Sequence, residues 1–502
     1  MRVPFAPPPG LISDETTFST PGAWADGANV RFPQDRAQVI GGWTKAHSDP
    51  VTGVCRNILS WADTSSLGNI AFGTHSRLMV LKDGQLADIT PVGLLDGNID
   101  RTELGYGQGG YGIGGFGGGA TSEFFPRTWS LATFGSYLMA SPRLKGLYVW
   151  QNSTASLATR VTQAPAHMAA MLVTPERQVL AFGCEEELSG SYNPMAIRGC
   201  DLEDYTDWTT TDSNNAFEKI LEGGARIVAA RLFGSYIAVW TDTSVFLGQY
   251  QSAGIDVYRF DLIADNCGLA APNAVVVMNQ IAYWLTPDLQ FYSWTIGLPP
   301  APIVCPIGRE FQANIVVAQI DKVAATSVSE FGEIWFHYPD GRDGIENSRA
   351  LFFNIANGAW SKATMVRTAA IDSGPQRYPI MVHFDGTIFS HESGGSADDA
   401  ALSWFVRSAD QYVDNARRRV LMKGMLPDFE DQTGDVHLTI RHRAYPQATE
   451  RTKGPYVLEP GRSKKDFLID CCIASIEFSG ASMPSFMRLG LPCFDGEPTG
   501  ER

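Results

Sequence analysis

The sequence predicts a mainly β chain whose larger part is a β-propeller of about seven blades, within a range of six to eight. Three observations carry that expectation: a hairpin pattern that keeps returning, a composition suited to short strands and tight turns, and a scarcity of helical periodicity. From about Ile58 to Gly394 an apolar strand, a polar or Gly/Asp turn and a second apolar strand recur. The pattern reads IAFGTHSRLMVL from Ile70, YLMASPRLKGLYVW from Tyr137, VLAFGC from Val179 and YIAVWTDTSVFLG from Tyr236. It continues as IAYWLTPDLQFYSW from Ile281, EIWFHYPDGRDGIENSRALFFN from Glu333 and YPIMVHFDGTIFSHE from Tyr378. Successive starts are mostly about 40 to 60 residues apart, close to the ~40 to 50 residues of a four-stranded blade with room for loops. A lone hairpin cannot bury its apolar face, whereas radial stacking covers every face and leaves only short edges. A β-sandwich pair or a string of small β domains is the alternative arrangement of the same strands.

Composition agrees. Glycine supplies 50 of the 502 residues and aromatics 11%, both favouring tight turns between short strands. Val, Ile, Phe, Tyr, Trp and Thr recur in short bursts, and long Ala/Glu/Lys/Leu stretches with helical period are scarce. After about Asp410 the character changes. A short polar stretch, QYVDNARRR, precedes runs from Asp435, Gly454 and Lys465 that alternate apolar and polar at period two, the signature of a small β domain. The expected organisation is an N-terminal extended or β segment over 1–56 that closes the propeller or contacts neighbours, a propeller over 57–410, and a small β domain over 411–502.

The prolines of MRVPFAPPPG stand where a signal peptide needs an apolar helical stretch, and no apolar run approaches the ~18 residues of a membrane span. Neither export nor a membrane-spanning segment is expected, so Asn152-Ser153-Thr154 is a glycosylation sequon in form only. Eight cysteines without a C-x-x-C pair, among them Cys267, Cys305 and the adjacent Cys471 and Cys472, read as reduced thiols rather than a disulfide scaffold.

The formal net charge of −15 argues against a protein that grips nucleic acid by counterion release. It does not argue against a conduit, because an acidic lining lets a polyanion slide where a basic one would hold it. The acid is unevenly placed: 13 basic and 13 acidic residues follow residue 410, leaving 26 basic against 41 acidic before it.

Chemistry is hard to find. The histidines are dispersed without metal-ligand spacing; His437 and His442 flank a basic strand and read as surface or partner contacts. The YPDGRDG at Tyr338 reads as a turn rather than a calcium loop. The run Glu185, Glu186, Glu187 reads as solvated loop charge, and nucleophile-elbow and P-loop patterns are absent. The letters G-x-G-x-x-G at Gly105, Gly107 and Gly110 lack a βαβ context, so GYGQGGYGIGGFGGGATS is a flexible loop bearing Tyr106, Tyr111 and Phe116 as aromatic stickers. Those three residues, with Arg417, Arg418 and Arg419, are the candidate interface positions. Lys464 and Lys465 form the other basic cluster, too small for sequence readout. No catalytic residue, metal or cofactor is expected.

Several ordered segments carry a family resemblance. They are WADGANVRFPQDRAQVIGGW from Trp24 to Trp43, the Gly/Tyr loop at Gly105, TWSLATFGSYLMA followed by GLYVW, and DLEDYTDWTTTDSNNA from Asp201. VWTDTSVFLGQY from Val239, DNCGLAAPNAVVV from Asp265, AYWLTPD from Ala282 and the ending MRLGLPCFDGEPTGER complete them. The chain resembles, nearly end to end, the tail-hub, nozzle or DNA-stabilisation proteins of short-tailed bacteriophages. The resemblance rests on packing and turn features in order; Cys471-Cys472 and the sparsely basic tail depart from it. It implies a propeller-rich subunit of a ring, thought to be hexameric, beneath the portal and adaptor or head-to-tail connector proteins. That ring retains double-stranded DNA and passes it on ejection, with tail spike or fibre proteins nearby, in a virion assembled in the host cytoplasm. Two rival functions stay open: a receptor-binding, lectin-like adhesin using aromatic loops, and a glycan-cleaving propeller enzyme, which would need paired carboxylates across a sugar cleft.

Overall fold

Six of the hairpin segments expected from the sequence supply middle strands of four-stranded antiparallel sheets, and the seventh lies in a six-stranded sheet. The computed structural model describes residues 2–63, 68–101, 124–251, 257–412 and 416–501. Among these, seven sheets stand around one axis as blades I to VII. Their innermost strands are Cys55–Ala62, Trp129–Phe134, Met168–Val173, Ile227–Phe233, Val275–Met278, Ala324–Val328 and Ala369–Ile371. Each packs against the next, and the seventh returns onto the first. The chain is a seven-bladed β-propeller carrying a second β body.

The central strands are buried on both sides because a blade lies against each face, so Val179–Glu185 and Glu333–Pro339 read as continuous apolar runs rather than alternating ones. Outer strands such as Phe217–Ile220 and Tyr258–Asp265 are half exposed and polar. The segment FGSY occurs twice, at Phe134–Tyr137 and Phe233–Tyr236. Both times it makes the turn from first to second strand, with Gly135 and Gly234 at φ of 63° and 66°. Blade V makes the same turn with Asn279 and Gln280, both at positive φ, the requirement of a tight hairpin whose twist matches its strands.

Most seams between blades carry their own apolar filling. Blades VII and I share Ile58, Phe72, Val382 and Ile388; I and II share Trp61, Trp129 and Trp150; II and III share Met139, Met168 and Cys184; III and IV share Phe182, Ile197 and Val239. Trp240, Trp284, Trp335 and Trp360 belong to a larger core that runs through blades IV to VI into the second body.

The ring is closed by a strand from far upstream. Trp43–Lys45 is the fourth strand of blade VII, with His391 opposite Trp43 and Phe389 opposite Lys45. The preceding residues, Arg2–Pro4, Trp24–Ala28, Val30–Arg31 and Gln38–Val39, join strands from Trp404 onward in the second body, which has three sheets. Phe5 meets Trp24 and Phe494 edge-on at 5.5 and 5.7 Å in its interior. The body rests on the outer strand of blade VI: Lys362 Nζ lies 2.8 Å from Asp26, and Leu11 donates its N–H to the Trp360 carbonyl.

The seam between blades VI and VII holds buried charge as well as apolar side chains. Arg31, fully buried, makes two hydrogen bonds to Glu392 of 3.0 and 2.6 Å and lies 3.5 Å from Glu333. Glu392 also accepts the Gly41 N–H. A Cβ on Gly41 would stand 2.4 Å from the Glu392 carboxylate and one on Gly42 2.2 Å from the Ser396 carbonyl, so the chain enters the seam only as glycine. Beside this network Arg367 donates to His391 Nε2 at 2.7 Å, and neither ring nitrogen of the buried His337 has a hydrogen-bond partner among the described residues. Burial pushes His337 down to about 3, with Arg367 adding to the effect, and holds His391 well below the ordinary imidazole range for the same reasons.

Two outcomes follow from this seam. Arg31→Met, which strands two buried carboxylates, should destabilise the protein by ~3–5 kcal/mol in chemical denaturation, and the double replacement of Arg31 and Glu392 by methionine should recover part of that loss. Both histidines bind protons less well folded than unfolded. Stability is therefore complete above about pH 6.5 and declines as pH falls toward 3, by up to ~1.4 kcal/mol per pH unit for each histidine. A His337→Phe variant should show a shallower slope over that window; an unchanged slope would mean that His337 is not what acid attacks.

Candidate functional site

The seven inner strands surround an axial cavity of about 520 Å³, room for roughly 17 water molecules at liquid density. Each inner strand is paired on one edge only, so its other edge turns unpaired backbone groups toward this space, and water or a polar ligand must satisfy them. The walls between those edges are mixed: Leu59, Leu131, Leu232, Val277 and Ile371 stand among Asn57, Ser130, Thr133, Thr326 and Ser327.

One end of the cavity is strapped. The Asn273 side chain donates to the Arg56 carbonyl of blade I at 2.7 Å, its own carbonyl accepts the Ala325 N–H of blade VI, and the Pro272 carbonyl accepts from Arg231 of blade IV. One short segment before blade V thus ties three other blades across the axis. A duplex cannot thread a passage of this size closed in this way, so any DNA conduit lies outside a single propeller.

Above the strap, the two ends of the Gly/Tyr segment are pinned. Tyr106, Tyr111 and Phe116 themselves lie outside the described residues. On the near side Asp100 receives Lys322 at 2.6 Å, and Arg101 exchanges backbone hydrogen bonds with the Gln319 amide. On the far side the Phe125 ring sits under the guanidiniums of Arg143, Arg226 and Arg101 at 4.0, 5.1 and 5.5 Å. Asp321 holds Arg143 at 3.1 Å and Arg101 at 3.3 Å. Arg56 forms two bonds to Glu346, which also receives Lys322. These struts join blades I, II, IV and VI, and they carry an apolar fringe: Leu95 is 80% exposed, Val317 54% and Ile345 48%. The second body lies to the side, against blade VI, so it does not occupy this face. This face thus combines mutually paired charges with exposed aliphatic side chains.

The basic residues singled out in the sequence gather elsewhere, at a corner of the second body. Arg419 lies on the strand Arg418–Leu426 and pairs with Asp470 at 2.6 Å; Arg417 and Arg418 precede it, exposed. The fold brings His442, Arg443 and Arg451 to the same cleft of about 280 Å³. Arg443 is already engaged by Asp410 and Thr17, and burial with Arg451 and Lys453 holds His442 below its usual range. This cluster was only half legible: Arg417 to Arg419 are contiguous, whereas Arg443 and Arg451 reach them through strand pairing. His437 is placed apart, opposite Ser479 and Val457. Lys464 pairs with Asp466 at 2.7 Å.

The carboxylates Glu185 to Glu187 brace turns: Glu185 accepts the His167 N–H, Glu186 takes Asn193 and Ser189, and Glu187 takes Thr210. Asp340 binds Arg342 within a turn between strands. All eight cysteines are free thiols, and burial pushes Cys55, Cys184, Cys200, Cys305 and Cys471 up to about 12, leaving them un-ionised at neutral pH. Among the described residues no group of three or more His, Cys, Asp or Glu could hold a metal ion, and no helix is long and apolar enough to cross a membrane.

Sequence reasoning missed the Asn273 strap and the Asp321 strut: Asn273 stands inside the quoted segment DNCGLAAPNAVVV without an assigned role, Asp321 stands in none, and each acts across the axis. Asp321→Asn should cost ~2–3 kcal/mol in denaturant titration, because it leaves the buried Arg143 without its carboxylate. A change below ~0.5 kcal/mol would show that the strut is not structural.

No protein-family model matches the chain, and no curated protein matches it. Among solved structures, the computationally designed Ika8 protein matches at 12% identity and a TM-score of 0.39, over 76% of this chain and 99% of that one. The β-propeller domain of Cps50 (Swd1) from Myceliophteria thermophila matches at 9% identity and a TM-score of 0.42, over 69% of this chain and 98% of that one.

Proposed function

We propose that the chain is a non-enzymatic virion protein, one subunit of a tail nozzle or hub ring through which a short-tailed bacteriophage retains and then passes its DNA. The observation that carries the reading is the strutted face over the propeller axis. Paired charges across blades I, II, IV and VI fix both ends of the Gly/Tyr segment and present Leu95, Val317 and Ile345 to whatever lies above. That is how a rigid subunit would offer a contact to a neighbouring copy or to an adaptor. The family resemblance of the ordered sequence segments points the same way.

In this reading DNA runs through a lumen enclosed by several copies, since the axis of each propeller is strapped by Asn273. The surplus of acid before residue 411 suits a lumen that lets a polyanion slide. The Arg417 to Arg419 corner, joined by Arg451, would touch phosphates or an acidic partner at the rim.

Negative-stain images of the purified protein and of disrupted virions test the reading: sixfold annuli at the tail tip are expected. Leu95→Glu combined with Ile345→Glu should prevent ring formation while leaving the melting temperature within about 2 °C, because both side chains are exposed. A protein that stays monomeric and binds host cells would favour the adhesin, and turnover of host polysaccharide would favour the enzyme; either result would overturn the ring.

A further inference from the structure

The axial cavity contains a charge that no described residue neutralises. Arg231, on the inner strand of blade IV, lines it and is only partly covered. Two of its five N–H donors reach the carbonyls of Ala230 and Pro272, at 2.9 and 2.7 Å, which fixes the guanidinium plane. No hydrogen bond or ion pair joins it to a carboxylate among the described residues. Burial alone acts on it, lowering it to about 10, without any acid to offset the effect. Asp372, the acid that shares the cavity wall, is turned aside: its carboxylate accepts from the Ser327 hydroxyl, the Ser329 N–H and the Ser373 N–H, at 2.9, 2.9 and 2.7 Å. In a chain of net charge −15, an arginine in a cavity without an acid partner calls for an anion from outside.

The shape of the cavity says what kind of anion. It is strapped on the Asn273 side, and Leu232, which follows Arg231, is 39% exposed, so a ligand enters past an aliphatic side chain. Leu59, Leu131, Val277 and Ile371 offer apolar contact around it. A volume of about 520 Å³ lies within the ~300–1,000 Å³ of small-molecule sites. A bare phosphate would leave those walls unused; a neutral lipid would leave the guanidinium unmatched.

We propose that the axial cavity binds a small amphiphilic carboxylate, with its head on the Arg231 guanidinium and its aliphatic body against the leucine, valine and isoleucine walls. The site is independent of ring assembly and would stand or fall apart from it.

Calorimetric titration of the full chain with octanoate, octanamide, butanoate and inorganic phosphate tests this. Octanoate should bind at least tenfold more tightly than octanamide, which has the same body without the charge, and more tightly than butanoate by roughly two- to fourfold per methylene. Arg231→Met should lose at least tenfold in octanoate affinity with an unchanged far-ultraviolet circular dichroism spectrum, and Arg231→Lys should retain part of it. Should Arg231→Met fail to fold, the octanoate-to-octanamide ratio on the natural chain decides alone. Equal binding of octanamide, no heat from octanoate at millimolar concentration, or phosphate binding as tightly as octanoate would each overturn the proposal.

Discussion

A blade with two apolar faces cannot stand alone, and that constraint governs the rest of the molecule. Every sheet must be covered on both sides, so the blades must form a closed ring, and a ring made from one linear chain has to be joined at one seam. Six blades are continuous in sequence. The seventh is completed by Trp43–Lys45, more than three hundred residues upstream of its neighbours. The chain therefore commits its N-terminal segment to the closure and fixes it with Arg31, Glu333 and Glu392, beside apolar residues that include Met381 and Trp43. A buried ion pair is weak evidence for added stability, but it punishes misregistry, because a shifted strand strands a charge away from water. The choice of ionic pairing where distant segments must find each other is consistent with that role.

The same upstream segment also supplies strands to the second body, so propeller and β domain are held by one stretch of chain and share one large core. Their junction lies at the outer strand of blade VI, not over the axis. This leaves one end of the propeller for the Asn273 strap, the Asp321 strut and the exposed aliphatic fringe. The arrangement separates features in space: closure on the side of blades VI and VII, the strutted aliphatic fringe over the axis, and the basic corner on the second body.

The axial cavity follows from the architecture as well. Seven sheets of this width leave a space whose walls are half-paired strand edges, too small for a duplex and large enough for a small molecule. What it carries in addition is Arg231, which ties blade IV to the strap through the Pro272 carbonyl and has no carboxylate partner among the described residues.

The strands, their pairing into seven hairpins and the mainly β class were legible in the sequence, because alternation, apolar runs and Gly/Asp turns are local, and local signals survive without an alignment. The FGSY repeat was also present in the letters and marks two of the turns. Arg417 to Arg419 were visible as a run. The partners of Arg31, the strap at Asn273, the pairing of Arg143 with Asp321 and the gathering of Arg443 and Arg451 beside Arg419 were not, since each joins positions separated by tens to hundreds of residues in single contacts that leave no periodic trace. Sequence by itself determined that this chain would build short twisted sheets needing cover on both faces. Only the tertiary structure decided which upstream strand closes the ring and which charges are buried to hold it. The reason is that closure is a long-range pairing, set by which edges and apolar faces remain uncovered once the local pieces have formed.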